Sequence, residues 1–204
     1  MKKREMVDLI LEILAEVLSG TDFRLKRSDD ALVRKIHDGK QVLGLPVWDY
    51  NPVFEFSLNI CIRLDAVEDV FHLFSGSPPK YRAMSYTTIT RLSHFMGEPA
   101  RFKVMTPDDA ASVGHVLSDV IRETILPFFD AYQDVQTLDR VVNGESPGID
   151  ITLNPSGAMH AVILAHLAGN NEFDRLVAKH RTDMQLTPDV VHPFNRLVEY
   201  LKAR

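Results

Sequence analysis

The chain is poor in the residues that build covalent or metal-based scaffolds. It has 204 residues and one cysteine, Cys61, so an internal disulfide is impossible and a cysteine-based metal site has too few ligands. Its eight histidines never stand three or four residues apart, which argues against a paired zinc site on one helix face. The glycine patterns G-x-G-x-x-G and G-x-x-x-x-G-K-[ST], which bind phosphates, do not occur. We therefore expect no metal and no cofactor.

Long apolar runs are also missing. No stretch of eighteen apolar residues occurs, so the sequence predicts no membrane-spanning helix. The N-terminus is basic, but Asp8, Glu12 and Glu16 interrupt the apolar run that a secretory signal needs. We therefore expect a cytoplasmic protein without membrane contact. Hydrophobic residues still make up 45% of the chain, which is enough to build a folded core.

Charge is unevenly distributed along the chain. The net charge is −5, yet residues 1–103 carry 15 basic and 14 acidic groups, whereas residues 104–204 carry 8 basic and 14 acidic groups. An acidic second half repels phosphate backbones. This distribution argues against nucleic acid as a general partner.

The clearest secondary-structure signal is a period of two in residues 54–64. Apolar residues alternate there with polar or small ones, which is typical of a strand with one buried face and one wet face. The residues expected to face the core are Phe56, Leu58, Ile60 and Ile62. The residues expected on the opposite face are Glu55, Ser57, Asn59 and Cys61.

Other segments carry local start and stop signals. Apolar residues recur at helical spacing from Glu5 to Leu18, and Gly20 follows as a stop, so a long first helix is predicted. Asp38-Gly39 lies between two apolar runs and predicts a type I′ hairpin. Thr106-Pro107-Asp108-Asp109 is typical of a helix start, and we expect that helix to end at Pro127. Further elements are predicted as helices near 155–168, 172–182 and after 187, and as a strand over 81–92.

Strands concentrate in the first half and helices in the second, which disfavours alternating βαβ units. We therefore predict an α+β fold with an N-terminal helix on an antiparallel sheet, followed by a helical C-terminal region. Residues 1–130 are expected to form the α+β core domain. Residues 131–204 are expected to form helices that pack on this core as one unit.

No converging catalytic set is visible, so no residue is assigned as catalytic. Gly144-Glu145-Ser146-Pro147-Gly148 matches the G-x-S-x-G string of serine hydrolases. That arrangement needs the backbone N–H after the serine, and Pro147 has none. We therefore predict a loop in which Ser146 is not a nucleophile. Acidic groups such as Asp65, Glu68 and Asp69 are interpreted as solvated caps and loops.

Residues 80–103 form a basic stretch with interleaved aromatic residues. On a strand face, Lys80, Arg82 and Arg91 could bind an anion, RNA or an acidic protein surface, although a solvated face is also possible. In an unbroken strand, Lys80 and Arg82 would share a face and Tyr81 would point towards the core. The fourth candidate binding residue is His115, which the apolar stripe of the helix after Thr106 partly surrounds.

Two segments carry a resemblance to a known family. The first is Asp22-Phe23-Arg24-Leu25-Lys26-Arg27, and the second runs from Leu32 to Gly39 with the sequence L-V-R-K-I-H-D-G. Together with the first helix and the alternating strand, they resemble an uncharacterised bacterial family with a helix, a G-F-x-x-K-R-like strand and a hairpin. The resemblance covers residues 5–130. It implies no catalytic residues, and some members look like immunity or accessory proteins of bacterial competition systems.

Three functions follow as hypotheses. The first is a non-enzymatic protein-binding module, with an immunity or accessory role as its specific form. The alternative is an enzyme or small-ligand-binding protein with a pocket between sheet and helices, where His115, Arg82 or Arg91 supplies polar groups. The third is RNA binding through residues 80–103. The sequence specifies no substrate, partner identity or oligomeric state.

Overall fold

A computed structural model describes residues 2–97, 100–144, 155–183 and 188–204. It confirms the α+β class, with an N-terminal helix, antiparallel sheets and a helical C-terminal region. The helices are α1 (Lys3–Val17), α2 (Asp65–Phe71), α3 (Pro79–Arg82), α4 (Ser93–Met96), α5 (Pro107–Val120), α6 (Leu126–Ala131), α7 (Val135–Asn143), α8 (Pro155–Leu167), α9 (Phe173–Asp183) and α10 (Pro188–Lys202). The strands are β1 (Arg24–Lys26), β2 (Ala31–Ile36), β3 (Gly39–Gly44), β4 (Val47–Tyr50), β5 (Val53–Phe56), β6 (Asn59–Leu64), β7 (Thr88–Arg91) and β8 (Phe102–Val104). Within the described ranges, no helix combines the length and apolar character that a membrane span requires.

The chain divides into two compact units. The first unit comprises Met1–Ile62 and Ile89–Ala131, and the second comprises Arg63–Thr88 and Tyr132–Arg204. Residues 63–88 therefore group with the helices of the C-terminal half, although they lie within the segment predicted as the α+β core.

The first unit contains two sheets, ordered β1-β2-β3-β6-β7 and β4-β5-β8. The predicted hairpin is present, since β2 and β3 pair antiparallel with Ile36 opposite Gly39. Its two loop residues are therefore His37 and Asp38, and neither has a positive φ. The expected type I′ turn at Asp38-Gly39 is thus wrong. Gly39 itself has a φ of 144°, so the left-handed conformation falls on the first residue of β3, where glycine tolerates it.

The alternating stretch 54–64 forms two strands, β5 and β6. The predicted core residues Phe56, Leu58, Ile60 and Ile62 are all buried. The opposite face differs from prediction because Ser57 and Cys61 are buried too. The Ser57 hydroxyl donates to the Ala100 carbonyl at 2.7 Å, which satisfies its hydrogen bond away from water. The structure therefore covers both faces along part of this stretch.

The predicted helix start at Thr106 is confirmed. The Asp109 N–H donates to Thr106 Oγ1 at 3.1 Å, and the Thr106 N–H donates to Asp109 Oδ2 at 2.9 Å, forming a reciprocal cap. The predicted end at Pro127 is wrong, since helical structure continues to Ala131. A π-helical segment, Ile121–Ile125, ends two residues before this proline. Its altered register relaxes the clash that a proline ring makes with the carbonyl four residues earlier in an α-helix.

The second unit is built around α8. This helix packs against α2, α7, α9 and α10, and its described side chains are buried from Gly157 to Ala165. Helices α8 and α9 pack against each other, and Gly169, with a φ of 67°, follows the end of α8. The small residues Ala158, Ala161 and Ala165 are all buried. Helices α2 and α7 were not predicted from the sequence.

Candidate functional site

The four predicted binding residues fall in different parts of the chain. Lys80 and Arg82 lie on α3 in the second unit, whereas Arg91 on β7 and His115 on α5 belong to the first unit. All four are exposed. The interpretation of His115 as partly surrounded by apolar side chains is therefore wrong, because it lies on the solvent side of α5.

The predicted strand over residues 81–92 is wrong in its first half. Only Thr88–Arg91 forms a strand, and residues 79–82 form the short helix α3. Pro79 occupies the first helical position of α3, where its missing N–H and fixed φ cost nothing. Tyr81 is consequently 53% exposed, contrary to the prediction that it faces the core.

A buried polar network in the second unit was missed altogether. Its centre is Glu68 on α2, whose side chain is fully buried. The imidazole of His160 on α8 places Nε2 3.1 Å from Glu68 Oε1, and the Thr87 hydroxyl donates to the same oxygen at 3.0 Å. Phe71 stacks on the His160 ring with centroids 4.2 Å apart. The network therefore combines a buried carboxylate, polar donors and an aromatic wall.

The ionisation of Glu68 follows from these contacts. Burial by itself raises the pKa of a carboxyl group. The nearby His160 ring and the hydrogen bond from the Thr87 hydroxyl outweigh burial and hold the pKa of Glu68 below its ordinary value. Glu68 is thus an anion at neutral pH, and the groups around it keep that charge inside the protein.

His72, one turn after Glu68 on α2, connects the network to α3. Its Nε2 lies 3.2 Å from the Arg82 carbonyl oxygen and 2.8 Å from Ser85 Oγ, while Nδ1 lies 3.1 Å from Ser75 Oγ. A carbonyl oxygen only accepts, so Nε2 carries the proton and Nδ1 accepts from Ser75. Burial lowers the pKa of His72. The ring is therefore a neutral donor to the C-terminal end of α3.

Arg63 binds the same stretch of backbone as His72. Its Nη1 donates to the Arg82 carbonyl at 2.8 Å and to the Ser85 carbonyl at 3.1 Å. Its Nε donates to Asp65 Oδ1 at 2.6 Å. The last carbonyls of a helix lack intrahelical donors and favour a nearby cation. Arg63 and His72 together cap α3 and fix the backbone around Arg82.

This geometry does not form a nucleophilic serine site. Ser85 Oγ accepts from Arg63 Nη1 at 2.9 Å and donates to the Arg82 carbonyl at 2.9 Å. His72 presents a proton to Ser85 rather than a lone pair, so no base is available to activate the hydroxyl. The loop predicted around Ser146 lies outside the described residues.

The three ionisable side chains of the network do not converge on a metal position. Glu68, His72 and His160 are of the types that bind zinc. Within the described ranges, however, no group of three or more His, Cys, Asp or Glu side chains has a geometry that could hold a metal ion. Instead, the His72 Nε2 proton is shared between the Ser85 hydroxyl and the Arg82 carbonyl, and Arg63 Nη1 lies 4.0 Å from Glu68 Oε2. Arg63 and His72 thus link the network to the backbone carbonyl of Arg82.

The segment that this network holds is named the Tyr81 loop, residues 73–84. Three of its large apolar side chains are exposed: Leu73 by 57%, Tyr81 by 53% and Met84 by 68%. His72 and Ser85 flank the loop and contact each other, so its two ends are close. No acidic residue occurs from 70 to 97, and the Lys80 ammonium lies 4.8 Å from the centre of the Tyr81 ring. The loop thus presents exposed apolar side chains next to the basic residues Lys80 and Arg82.

Comparison with known proteins gives no match. No family model, no curated protein and no solved structure matches this chain. The resemblance to an uncharacterised bacterial family therefore stays a prediction. The sequence did contain one signal for the buried network, since Glu68 and His72 are four residues apart and share a helix face with apolar Phe71 nearby.

Proposed function

We propose that this chain is a non-enzymatic protein-binding module that contacts its partner through the Tyr81 loop. The observation that carries the proposal is the exposure of Leu73, Tyr81 and Met84 on one short loop closed by the His72–Ser85 contact. Exposed apolar side chains grouped in this way are typical of interaction sites. Tyrosine and methionine are among the residue types enriched at protein interfaces.

The capping contacts support a preformed binding surface. A loop that is ordered before binding loses less conformational entropy when the partner arrives. Arg63 and His72 hold the backbone at Arg82 from the buried side. The loop is therefore suited to docking without prior folding.

The charge around the loop defines the partner. Lys80 and Arg82 are exposed, and the nearest sequence neighbours contribute no acidic side chain. Complementary charge at the rim of an interface accelerates association and selects among partners. The partner is accordingly a protein with an acidic surface around an apolar pocket.

Site-specific crosslinking tests this function. A photoreactive benzoylphenylalanine replaces Met84 in cells that produce the protein, and the same residue replaces Val116, which is exposed on α5, as the matched control. We expect an adduct from position 84 that is absent from position 116 and is lost in the Lys80→Glu/Arg82→Glu double variant. The purified adduct partner should bind the unmodified chain, with association that slows as salt rises. Adducts that are absent, or that persist in the double variant, would contradict the proposal.

The specific biological role rests on the family resemblance. An immunity or accessory protein of a bacterial competition system, acting in the cytoplasm, is a protein-binding module of this kind. A toxin gene beside the gene for this chain would support that role, and recognition of the encoded toxin by the Tyr81 loop would test it. The alternative of an enzyme is disfavoured at the buried network, because Glu68, His72 and His160 are enclosed by protein.

A further inference from the structure

A second exposed surface lies on the three-stranded sheet of the first unit. The pairing places Trp48 on β4 opposite Glu55 on β5, and Glu55 opposite Lys103 on β8. Side chains alternate between faces along a strand, so Tyr50 and Arg101 belong to the same face as this row. The opposite face carries the buried Phe54, Phe56 and Val104. The outward face, named the Trp48 face, carries the exposed Tyr50, Arg101 and Lys103 and the half-buried Trp48, Val53 and Glu55.

The central contacts of this face are already arranged. The Arg101 guanidinium carbon lies 4.1 Å from the centre of the Trp48 ring, a cation–π contact. Arg101 Nη1 also lies 3.7 Å from Glu55 Oε2. Arg101 therefore neutralises Glu55 and orders the tryptophan ring. Tyr50 is 58% exposed and Lys103 is exposed, so one apolar ring and one ammonium group remain at the surface.

We propose that the Trp48 face binds a short segment of a partner protein that carries a carboxylate beside an apolar side chain. The partner's carboxylate fits Lys103. The face has two basic residues, Arg101 and Lys103, but only one acidic residue, Glu55, and Arg101 already lies beside that residue. The apolar side chain fits against Tyr50 and Trp48. Tryptophan, tyrosine and arginine are the residue types that most often dominate binding energy at protein interfaces.

The size of the face determines the kind of partner. Three strands spaced about 4.8 Å apart give a surface only ~15 Å wide. A stable globular interface covers about 800 Å² on each partner, which is more than such a face offers. A short peptide segment matches the available surface better than a second folded domain.

The chemistry of the face disfavours single-stranded nucleic acid as the occupant. Base stacking needs an open aromatic ring, and Arg101 covers one side of the Trp48 ring. The carboxylate of Glu55 lies in the middle of the row and repels phosphate groups. The Trp48 face belongs to the first unit and the Tyr81 loop to the second, so either surface can bind without the other.

The single tryptophan of the chain makes the test specific. The full chain is used to select binders from a phage-displayed library of random peptides, and the emission of Trp48 is followed as each synthetic peptide is added. We expect enriched peptides to contain Asp or Glu next to an apolar residue and to change the Trp48 emission. Tyr50→Ala and Lys103→Glu should each weaken binding about tenfold, whereas Val116→Ala on the same unit should not change it.

Three results would overturn the proposal. The first is a selection that enriches no peptide, and the second is enrichment of peptides that leave the Trp48 emission unchanged. The third is quenching of Trp48 by a single-stranded oligouridine probe with an affinity above that of every selected peptide, which would assign the face to nucleic acid. Thermal unfolding of each variant separates loss of binding from loss of folding.

Discussion

His160 Nε2 lies 3.1 Å from Glu68 Oε1, and both side chains are buried. The contact joins α2 to α8, two helices that are separated by more than eighty residues in the sequence. A buried carboxylate is stable only when donors surround it. This pair therefore fixes the orientation of α2 against α8. His72, also on α2, then contacts the C-terminal end of α3.

The first prediction concerns Glu68. Glu68→Gln removes the buried anion but keeps its size, so the nearby His160 ring and the Arg63 guanidinium lose the negative charge that they face. We expect the free energy of unfolding to fall by about 3 kcal/mol. Asp69→Asn is the matched control, because Asp69 is the next residue of α2 and is exposed; it should change stability by less than about 0.5 kcal/mol. Equal effects in urea titrations would show that the network does not stabilise the unit.

The second prediction concerns pH. Burial lowers the pKa of His72 from its ordinary value of 6.5, so the unfolded chain binds a proton in a range where the folded chain does not. Stability is therefore fully present above pH 6.5 and is lost as pH falls towards the lowered pKa. Urea titrations at several pH values should show this decline, and His72→Gln should flatten it. His115→Gln, on the exposed side of α5, should leave the dependence of stability on pH unchanged. If His72→Gln leaves it unchanged too, His72 is not the group responsible for the decline.

The third prediction concerns Cys61. Burial raises the pKa of its thiol to about 12, and only the thiolate reacts readily with disulfide reagents. Native protein in mildly alkaline buffer should therefore give almost no signal with Ellman's reagent. Unfolding in guanidinium chloride should release one equivalent of reactive thiol per chain. Rapid reaction of the native protein would mean that β6 opens to solvent.

The fourth prediction concerns the contact of α1 with α5. A Cβ atom added at Gly114 would lie 2.9 Å from Ile13 Cδ1 and 3.2 Å from Ile13 Cβ. Alanine normally favours a helix over glycine, but this overlap reverses the sign, and Gly114→Ala should destabilise the protein by about 1–3 kcal/mol.

A double variant separates crowding from other effects at Gly114. Ile13→Val removes Cδ1, so it should recover part of the loss caused by Gly114→Ala. Ser112→Ala, at an exposed position of α5, serves as the control for helix propensity and should not destabilise. A stabilising Gly114→Ala in thermal unfolding would mean that the two helices can move apart without cost.

The elements that the sequence predicted correctly depend on neighbours along the chain. The cap of α5 needs only Thr106 and Asp109, three residues apart, and the β2–β3 hairpin needs two short apolar runs around a turn. The error at Tyr81 has the opposite origin. Thr, Tyr and Ile favour strands, but Pro79 and the capping of the Arg82 carbonyl by Arg63 and His72 stabilise a helical turn instead.

The sequence by itself determined the α+β class, the positions of the five helices α1, α5, α8, α9 and α10, and the burial of Phe56, Leu58, Ile60 and Ile62, because periodicity and capping are local properties. Only the tertiary structure decided that Glu68 is a buried anion instead of a solvated one. It also decided that Lys80 and Arg82 belong to the second unit, whereas Arg91 belongs to the first. Burial depends on which segments pack together across long sequence separations. The partners of Glu68 come from residues 87 and 160, and no local pattern around residue 68 encodes them.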